Sequence, residues 1–166
     1  GVIPGVPALA QSTPGSQSTA PDPYAALIAD ASQRFALPEG WIRAVMQVES
    51  AGDRRAVSAA GAMGLMQIMP ATWAKLRLRH RLGADPFAPR DNILAGTAYL
   101  REMLDRYGSV GAMLAAYNAG PARYEDYLAT GRALPPETRA YVATLVPMLD
   151  GRAALPAISR AQDWRA

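Results

Sequence analysis

The most informative segment of this chain is residues 61–70, which read Gly-Ala-Met-Gly-Leu-Met-Gln-Ile-Met-Pro. Its two glycines lie three residues apart, a spacing that lets the backbone come close to another surface or to a ligand. Gln67 places one amide in an otherwise apolar run, and Met66 and Met69 supply flexible apolar side chains. Taken alone, such a segment is more often a core loop than a binding site, and Pro70 is expected to open a helix after it.

The helix predicted just upstream carries a carboxyl group on its apolar face. Trp41, Val45 and Glu49 recur every four residues and therefore share one side of the helix. Poor solvation and the negative end of the helix dipole should both raise the pKa of Glu49, as a general acid requires. The structural alternatives are an ion pair with Arg54 or Arg55, or a surface position at a frayed helix end.

Two adjacent polar residues, Tyr117 and Asn118, lie downstream at the end of another predicted helix. Gly120 and Pro121 follow and break that helix. The two polar side chains could reach a cleft as hydrogen-bonding groups. In isolation, a capping role for Asn118 and core packing for Tyr117 explain them better.

The rest of the chain is predicted to be mainly α, because no region alternates apolar and polar residues for long. A single helical domain should cover residues 23–150. Residues 1–22 are rich in Pro, Gly, Ser, Thr and Gln and are expected to be a flexible linker or leader remnant, and residues 151–166 a short C-terminal extension. Caps and breakers place the helices at about residues 24–35, 39–52, 70–76, 91–107, 109–118, 121–129 and from 136 onward, with Asp91 and Ser109 as N-caps.

Composition excludes several kinds of chemistry. The 166 residues include no cysteine and one histidine, His80, which is expected on the solvated surface because its neighbours are polar. Ser-His and Cys-His triads and His- or Cys-based metal sites are therefore excluded, and no metal is expected. No apolar run reaches the roughly 18 residues of a membrane helix. The net charge of +3 suits nucleic acid, anionic glycan or acidic membrane, but the arginines are too scattered for a nucleic-acid recognition helix.

Three segments taken together resemble the catalytic module of soluble lytic transglycosylases, in the lysozyme-like superfamily and nearest to goose-type lysozyme. They are Glu49-Ser50, the segment 61–70, and Ala-Tyr-Asn-Ala-Gly at residues 116–120. The resemblance covers about residues 24–150 and implies a lysozyme-like helical domain with a cleft. There is one departure from the family pattern, which often has Asn-Pro at the two positions where this chain has Asp53-Arg54.

The resemblance also implies roles for individual residues. Glu49 matches the catalytic acid, and Ser58 matches a serine that positions the acetamido sugar near the cleavage point. Tyr117 matches a tyrosine that contacts the catalytic glutamate, with Asn118 as its neighbour in the groove. The remaining matched positions line the glycan groove or brace the cleft: Gln67, Met69, Glu137 and Tyr141.

The implied reaction is cleavage of the β-1,4 bond between N-acetylmuramic acid and N-acetylglucosamine of peptidoglycan, leaving 1,6-anhydro ends. Glu49 would serve as acid and then as base, and no cofactor is expected. The chain would act on glycan strands in the bacterial periplasm or envelope after removal of a signal sequence. It would remodel the wall, or open it locally for an envelope-spanning secretion or conjugation machine.

Two other functions stay open from the sequence. One is a hydrolytic goose-type muramidase, in which a second carboxylate activates water. Asp53 follows Glu49 by one helical turn, about 5–6 Å, which is closer than the roughly 6.5–9.5 Å of an inverting pair. Asp53 is therefore expected to be structural, paired with a neighbouring arginine or a backbone amide. The other is a non-catalytic peptidoglycan-binding module of a secretion system.

Overall fold

The computed structural model describes residues 20–151, which form seven α-helices and no β-strand. The predicted mainly α fold is therefore confirmed. Most of the predicted terminal segments, residues 1–19 and 152–166, lies outside the described residues. The helices are α1 (Ala25–Phe35), α2 (Glu39–Ser50), α3 (Pro70–Arg79), α4 (Pro89–Tyr107), α5 (Val110–Ala119), α6 (Pro121–Thr130) and α7 (Pro136–Asp150).

The bounds of three helices differ from the prediction by two residues or more, and one of them, α2, ends at Ser50 and not at residue 52. α3 continues to Arg79, and α4 begins at Pro89, so the loop expected between them is shorter. Pro89 occupies the first helical position, where its ring fixes a helical φ and its missing amide hydrogen costs nothing. Asp91, predicted as the N-cap, instead lies in the first turn and accepts a hydrogen bond from the Gly83 amide, 3.0 Å away. Its carboxylate thus ties the α3–α4 loop to α4.

The core is organised around α5, which packs against α4, α6 and α7. Ser109 caps this helix as predicted, because its hydroxyl accepts a hydrogen bond from the Ala112 amide. All residues from 112 to 117 are buried, as expected of a helix that is apolar on every side. α2 packs against α1 and α7, which brings the end of α2 close to α7. No helix within residues 20–151 is long and apolar enough to span a membrane.

His80 is buried, so its predicted place on the solvated surface is wrong. It lies at the C-cap of α3, and its ring packs edge-on against Phe35 with 5.3 Å between the ring centroids. Burial, together with the nearby charges of Arg34 and Arg79, lowers the pKa of His80. The neutral imidazole therefore serves as an aromatic core residue. Its polar sequence neighbours misled the prediction because they face outward while the histidine turns inward.

The connection between α2 and α3 has no helix or strand but is closely held. Isolated antiparallel bridges pair Met63 with Val57 and with Ile68. The Gly64 amide donates to the Ala56 carbonyl over 2.8 Å. These contacts fold the segment back on itself, so that residues 61–69 form a compact loop.

Asn92 of α4 fixes this loop to the core. Its Oδ1 accepts from the Met66 amide at 2.8 Å, and its Nδ2 donates to the Met63 and Pro86 carbonyls at 3.0 and 2.9 Å. Gly64 makes the approach possible, because a Cβ there would lie 2.4 Å from Asn92 Nδ2. Its φ of +77° also favours glycine. Residues 61–69 thus form a core loop, as was predicted from that segment taken alone.

Candidate active site

Glu49 lies in the last turn of α2 and is held by a hydrogen bond from α7. The hydroxyl of the buried Tyr141 donates to Glu49 Oε1 over 2.7 Å. The pKa of Glu49 rises from 4.5 to about 7, mainly because burial removes water from the carboxylate. The Tyr141 hydrogen bond opposes this rise, and the charge of Glu137 adds to it. The predicted increase is confirmed, and both protonation states are populated near neutral pH.

The ion-pair alternative for Glu49 is wrong within the described part of the chain. None of the ion pairs among residues 20–151 includes Glu49, so Arg54 and Arg55 do not pair with it. Asp53 is exposed, and its Oδ1 accepts from the Arg55 amide at 2.9 Å. This contact agrees with the predicted structural role of Asp53 in the turn after α2.

Tyr117 supports the loop at the site. Its fully buried hydroxyl donates to the Met66 carbonyl over 2.7 Å, and its ring lies against Tyr99. The Glu49 charge contributes to the raised pKa of Tyr117, so the two groups lie close together. The resemblance implied that Tyr117 contacts the catalytic glutamate. The direct hydrogen bond to Glu49 comes instead from Tyr141, which was expected to brace the cleft.

Gln67 is locked inside the loop by its own side chain. Its Nε2 donates to the Ala56 and Gly64 carbonyls at 3.1 and 3.0 Å, and its backbone has a φ of +52°. Within residues 20–151 no group donates to its Oε1, which is therefore the atom available to a ligand. Met69 follows at the N-cap of α3 and is 43% exposed, as suits a surface-lining residue.

Ser58 and Asn118 are the remaining polar positions from the sequence. The Ser58 hydroxyl accepts from the Ala62 amide at 3.0 Å and so closes the turn that precedes the loop. Asn118, at the end of α5, accepts at its Oδ1 from the hydroxyl of Thr138, 2.8 Å away. Glu137, exposed in the first turn of α7, acts on Glu49 through its charge.

Three supporting residues match the resembled family in sequence but had been assigned no role, namely Asn92, Gly96 and Thr138. A Cβ at Gly96 would lie 2.4 Å from Met66 Sδ, so this glycine leaves room for the loop to pack on α4. Asn92 and Thr138 are buried polar residues within apolar helix faces, and that pattern was the available signal. No group of three or more His, Cys, Asp or Glu residues in the described range is arranged to hold a metal ion.

Relatives of this chain share most of the described segment. The family model described as transglycosylase SLT domain matches residues 26–138. The transglycosylase of Enterobacteria phage PRD1 is 44% identical over 93 residues, which cover 56% of this chain and 33% of that protein. A putative soluble lytic murein transglycosylase of Haemophilus influenzae is 36% identical over 143 residues, covering 76% of this chain and 24% of the relative.

A solved structure shows the same fold. The 70 kDa soluble lytic transglycosylase of Escherichia coli matches with a TM-score of 0.67 and 31% identity, over 75% of this chain and 23% of the other. This chain therefore spans about a quarter to a third of the length of these proteins. Since the family model covers well over half of the sequence and includes the loop and every polar position around Glu49 except Tyr141, the chain belongs to the transglycosylase SLT domain family.

Proposed function

We propose that this chain cleaves the glycan strands of peptidoglycan as a lytic transglycosylase, with Glu49 as its single catalytic carboxylate. One observation carries the proposal: a half-buried carboxyl group with a pKa of about 7, held by Tyr141, lies in an SLT domain. A general acid is most effective when its pKa is near the working pH. The names of the relatives, which include lytic murein transglycosylases, support the same reaction.

The first step would be protonation of the glycosidic oxygen between N-acetylmuramic acid and N-acetylglucosamine. Glu49 Oε1 is held by Tyr141, so Oε2 is the oxygen that would deliver the proton. The bond from C1 to the leaving oxygen breaks, and the acetamido group of the muramic acid stabilises C1, as in substrate-assisted hydrolases. The Tyr141 hydrogen bond favours the carboxylate that Glu49 becomes after losing its proton.

The second step would use the Glu49 carboxylate as a base. It takes the proton of the 6-hydroxyl of the same muramic acid, whose oxygen attacks C1 and closes a 1,6-anhydro ring. Glu49 is then protonated again, and no water is consumed. The balance needs no cofactor, because the proton given in the first step is recovered in the second.

Hydrolysis is the second candidate reaction, and the position of Glu137 near Glu49 favours it. Its charge acts on Glu49, so a second carboxylate does lie near the acid. A water activated there would attack C1 in place of the 6-hydroxyl. The exposed Asp53 is a weaker candidate, because its Oδ1 is engaged by the Arg55 amide.

Product analysis separates the two reactions. Purified sacculi digested by the chain in heavy-oxygen water are expected to give muropeptides with unlabelled 1,6-anhydro ends, each lighter by one water than a hydrolysis product. Labelled reducing ends would show hydrolysis and overturn the lytic mechanism. Binding of sacculi without any soluble product would instead show a binding module.

Tyr141→Phe is expected to shift the pH dependence of this cleavage upward. The hydroxyl lowers the pKa of Glu49, so its loss raises that pKa beyond about 7 and keeps the acid protonated to higher pH. The alkaline limb of the kcat/KM profile should move up by about one unit. The rate at the optimum should fall about tenfold, because the carboxyl group loses its anchor.

Tyr117→Phe is the matched control for this profile. It removes a buried hydroxyl that bonds to the Met66 carbonyl and not to Glu49, so its alkaline limb should stay in place. If the Tyr141→Phe profile overlaid that of the unmodified chain, Tyr141 would have no influence on the acid.

We also propose that the chain works in the periplasm or cell envelope, as part of a larger envelope-spanning machine. The support for this location is the proposed substrate, because peptidoglycan occurs only in the envelope. Cross-linking of the chain in its native cell should recover components of such a machine. Recovery of peptidoglycan fragments alone would contradict the partnership while leaving the enzymatic proposal intact.

A further inference from the structure

The first turn of α7 reaches the end of α5 through one side-chain hydrogen bond. Thr138 is 2% exposed, and its hydroxyl donates to Asn118 Oδ1 over 2.8 Å. A threonine inside a helix commonly donates to the carbonyl four residues earlier. Thr138 lies too near the start of α7 for that partner to be helical, and its single hydroxyl hydrogen is committed to Asn118.

This bond fixes which way the Asn118 amide faces. With Oδ1 held by the hydroxyl of Thr138, the NH2 group lies on the opposite side of the amide. Within residues 20–151 no group accepts a hydrogen bond from Nδ2. The side chain is only half-buried at the end of α5, so its two N–H donors are available to a ligand.

We propose that Thr138 is a positioning residue that holds the NH2 group of Asn118 outward, where it donates to an oxygen acceptor of the bound glycan. The identity of the ligand rests on the proposed function. A freely rotating amide would offer donor and acceptor equally, and binding would then have to select one orientation. Thr138 makes that selection before the ligand arrives.

Gln67 offers a ligand the opposite hydrogen-bonding group, an acceptor and not a donor, which is a second observation in support of the proposal. Its NH2 group is consumed by two backbone carbonyls, and its Oε1 is the atom left for a ligand. One side-chain amide of the site is thus fixed as a donor and another as an acceptor. A glycan that meets both must present an acceptor to Asn118 and a donor to Gln67, which favours one orientation of the strand.

Thr138→Val tests the positioning role, because valine keeps the shape of threonine and removes only the hydroxyl. The variant is expected to raise KM for peptidoglycan fragments about five- to tenfold, the contribution of one oriented hydrogen bond. The alkaline limb of its pH profile should stay where it is, since Thr138 does not contact Glu49. Thr138→Ser restores the hydroxyl and should return KM to within about twofold of the original value.

A double-mutant cycle with Asn118→Ala gives the decisive readout. If Thr138 acts only through Asn118, Thr138→Val should raise KM no further once the asparagine is absent. Asn118→Asp should weaken binding at least as much as Asn118→Ala, because the outward donor becomes a charged acceptor. An unchanged KM in Thr138→Val, or effects of the two single variants that multiply, would overturn the proposal.

Binding measured in a Glu49→Gln background keeps this inference separate from the catalytic proposal. Titration with soluble glycan fragments of peptidoglycan should show the same five- to tenfold loss on adding Thr138→Val, about one hydrogen bond's worth. Should the unmodified chain cleave nothing, the proposed function fails while this titration still reports on Thr138. The melting temperature of each variant verifies that it is folded. If Thr138→Val does not fold, Thr138→Ser and Asn118→Asp still test the proposal.

Discussion

Glu49→Gln is expected to reduce cleavage of purified sacculi by a factor of about 10²–10⁴, the usual contribution of a general acid. Glutamine has the same shape, and its amide oxygen can still accept from Tyr141, but it has no proton to give to the glycosidic oxygen. The loss should appear in kcat, since the substrate contacts proposed for Gln67 and Asn118 are unchanged. Release of soluble muropeptides, followed by mass spectrometry, measures it.

Glu39→Gln is the matched control on the same helix. Glu39 lies exposed in the first turn of α2, at the end opposite Glu49, and its neutralisation should leave the rate unchanged. A Glu49→Gln variant as active as the Glu39→Gln control would rule out Glu49 as the acid, and with it the mechanism proposed above.

The same Glu49→Gln variant is expected to be more stable than the unmodified chain at alkaline pH. The folded-state pKa of Glu49, about 7, lies above its ordinary value of 4.5, so folding favours the protonated form. The stability that this group contributes is complete below pH 4.5 and is lost as the pH rises through 7. Above that pH the buried charge costs about 3 kcal/mol, which glutamine removes. Denaturant unfolding at pH 4 and pH 8.5 should show a difference only at the higher pH.

Asn92→Ala is expected to lower the free energy of unfolding by about 3–5 kcal/mol. The substitution leaves the Met66 amide and the Met63 and Pro86 carbonyls without their buried partner. Each unsatisfied group carries a desolvation cost of about 1–3 kcal/mol. Glycan cleavage should also fall at temperatures where the variant is folded, because the loop that carries Gln67 loses its fixed place. Urea titration followed by circular dichroism measures the stability change.

Asn118→Ala serves as the comparison, since it removes the same side chain from a half-exposed position. Its unfolding free energy should fall by only about 1–3 kcal/mol, because a single buried group, the Thr138 hydroxyl, loses its partner, while its affinity for glycan falls. If Asn92→Ala were as stable as Asn118→Ala, the three hydrogen bonds to Asn92 would contribute little, and another contact would have to hold the loop.

Local signals in the sequence were enough to predict where the helices lie and on which face of its helix Glu49 lies. The cap at Ser109 and the stop at Gly108 are set by residues in contact along the chain, and the structure agrees with both. Four-residue spacing placed Glu49 on the apolar face of α2, and poor solvation together with the helix dipole implied a raised pKa. Prediction failed at His80, since the polarity of sequence neighbours does not report which way a C-cap residue turns.

The hydrogen-bond partners of the site residues could not be predicted from local sequence patterns. Glu49 and Tyr141 lie 92 positions apart, and Tyr117 is 51 positions from Met66. The resemblance assigned the contact with the acid to Tyr117, whereas the packing of α2 and α5 against α7 brings the Tyr141 hydroxyl to it. A hydrogen bond requires its two atoms to lie within about 3 Å. Periodicity fixes the face on which a side chain lies, but the distance between two faces is set by how the helices pack.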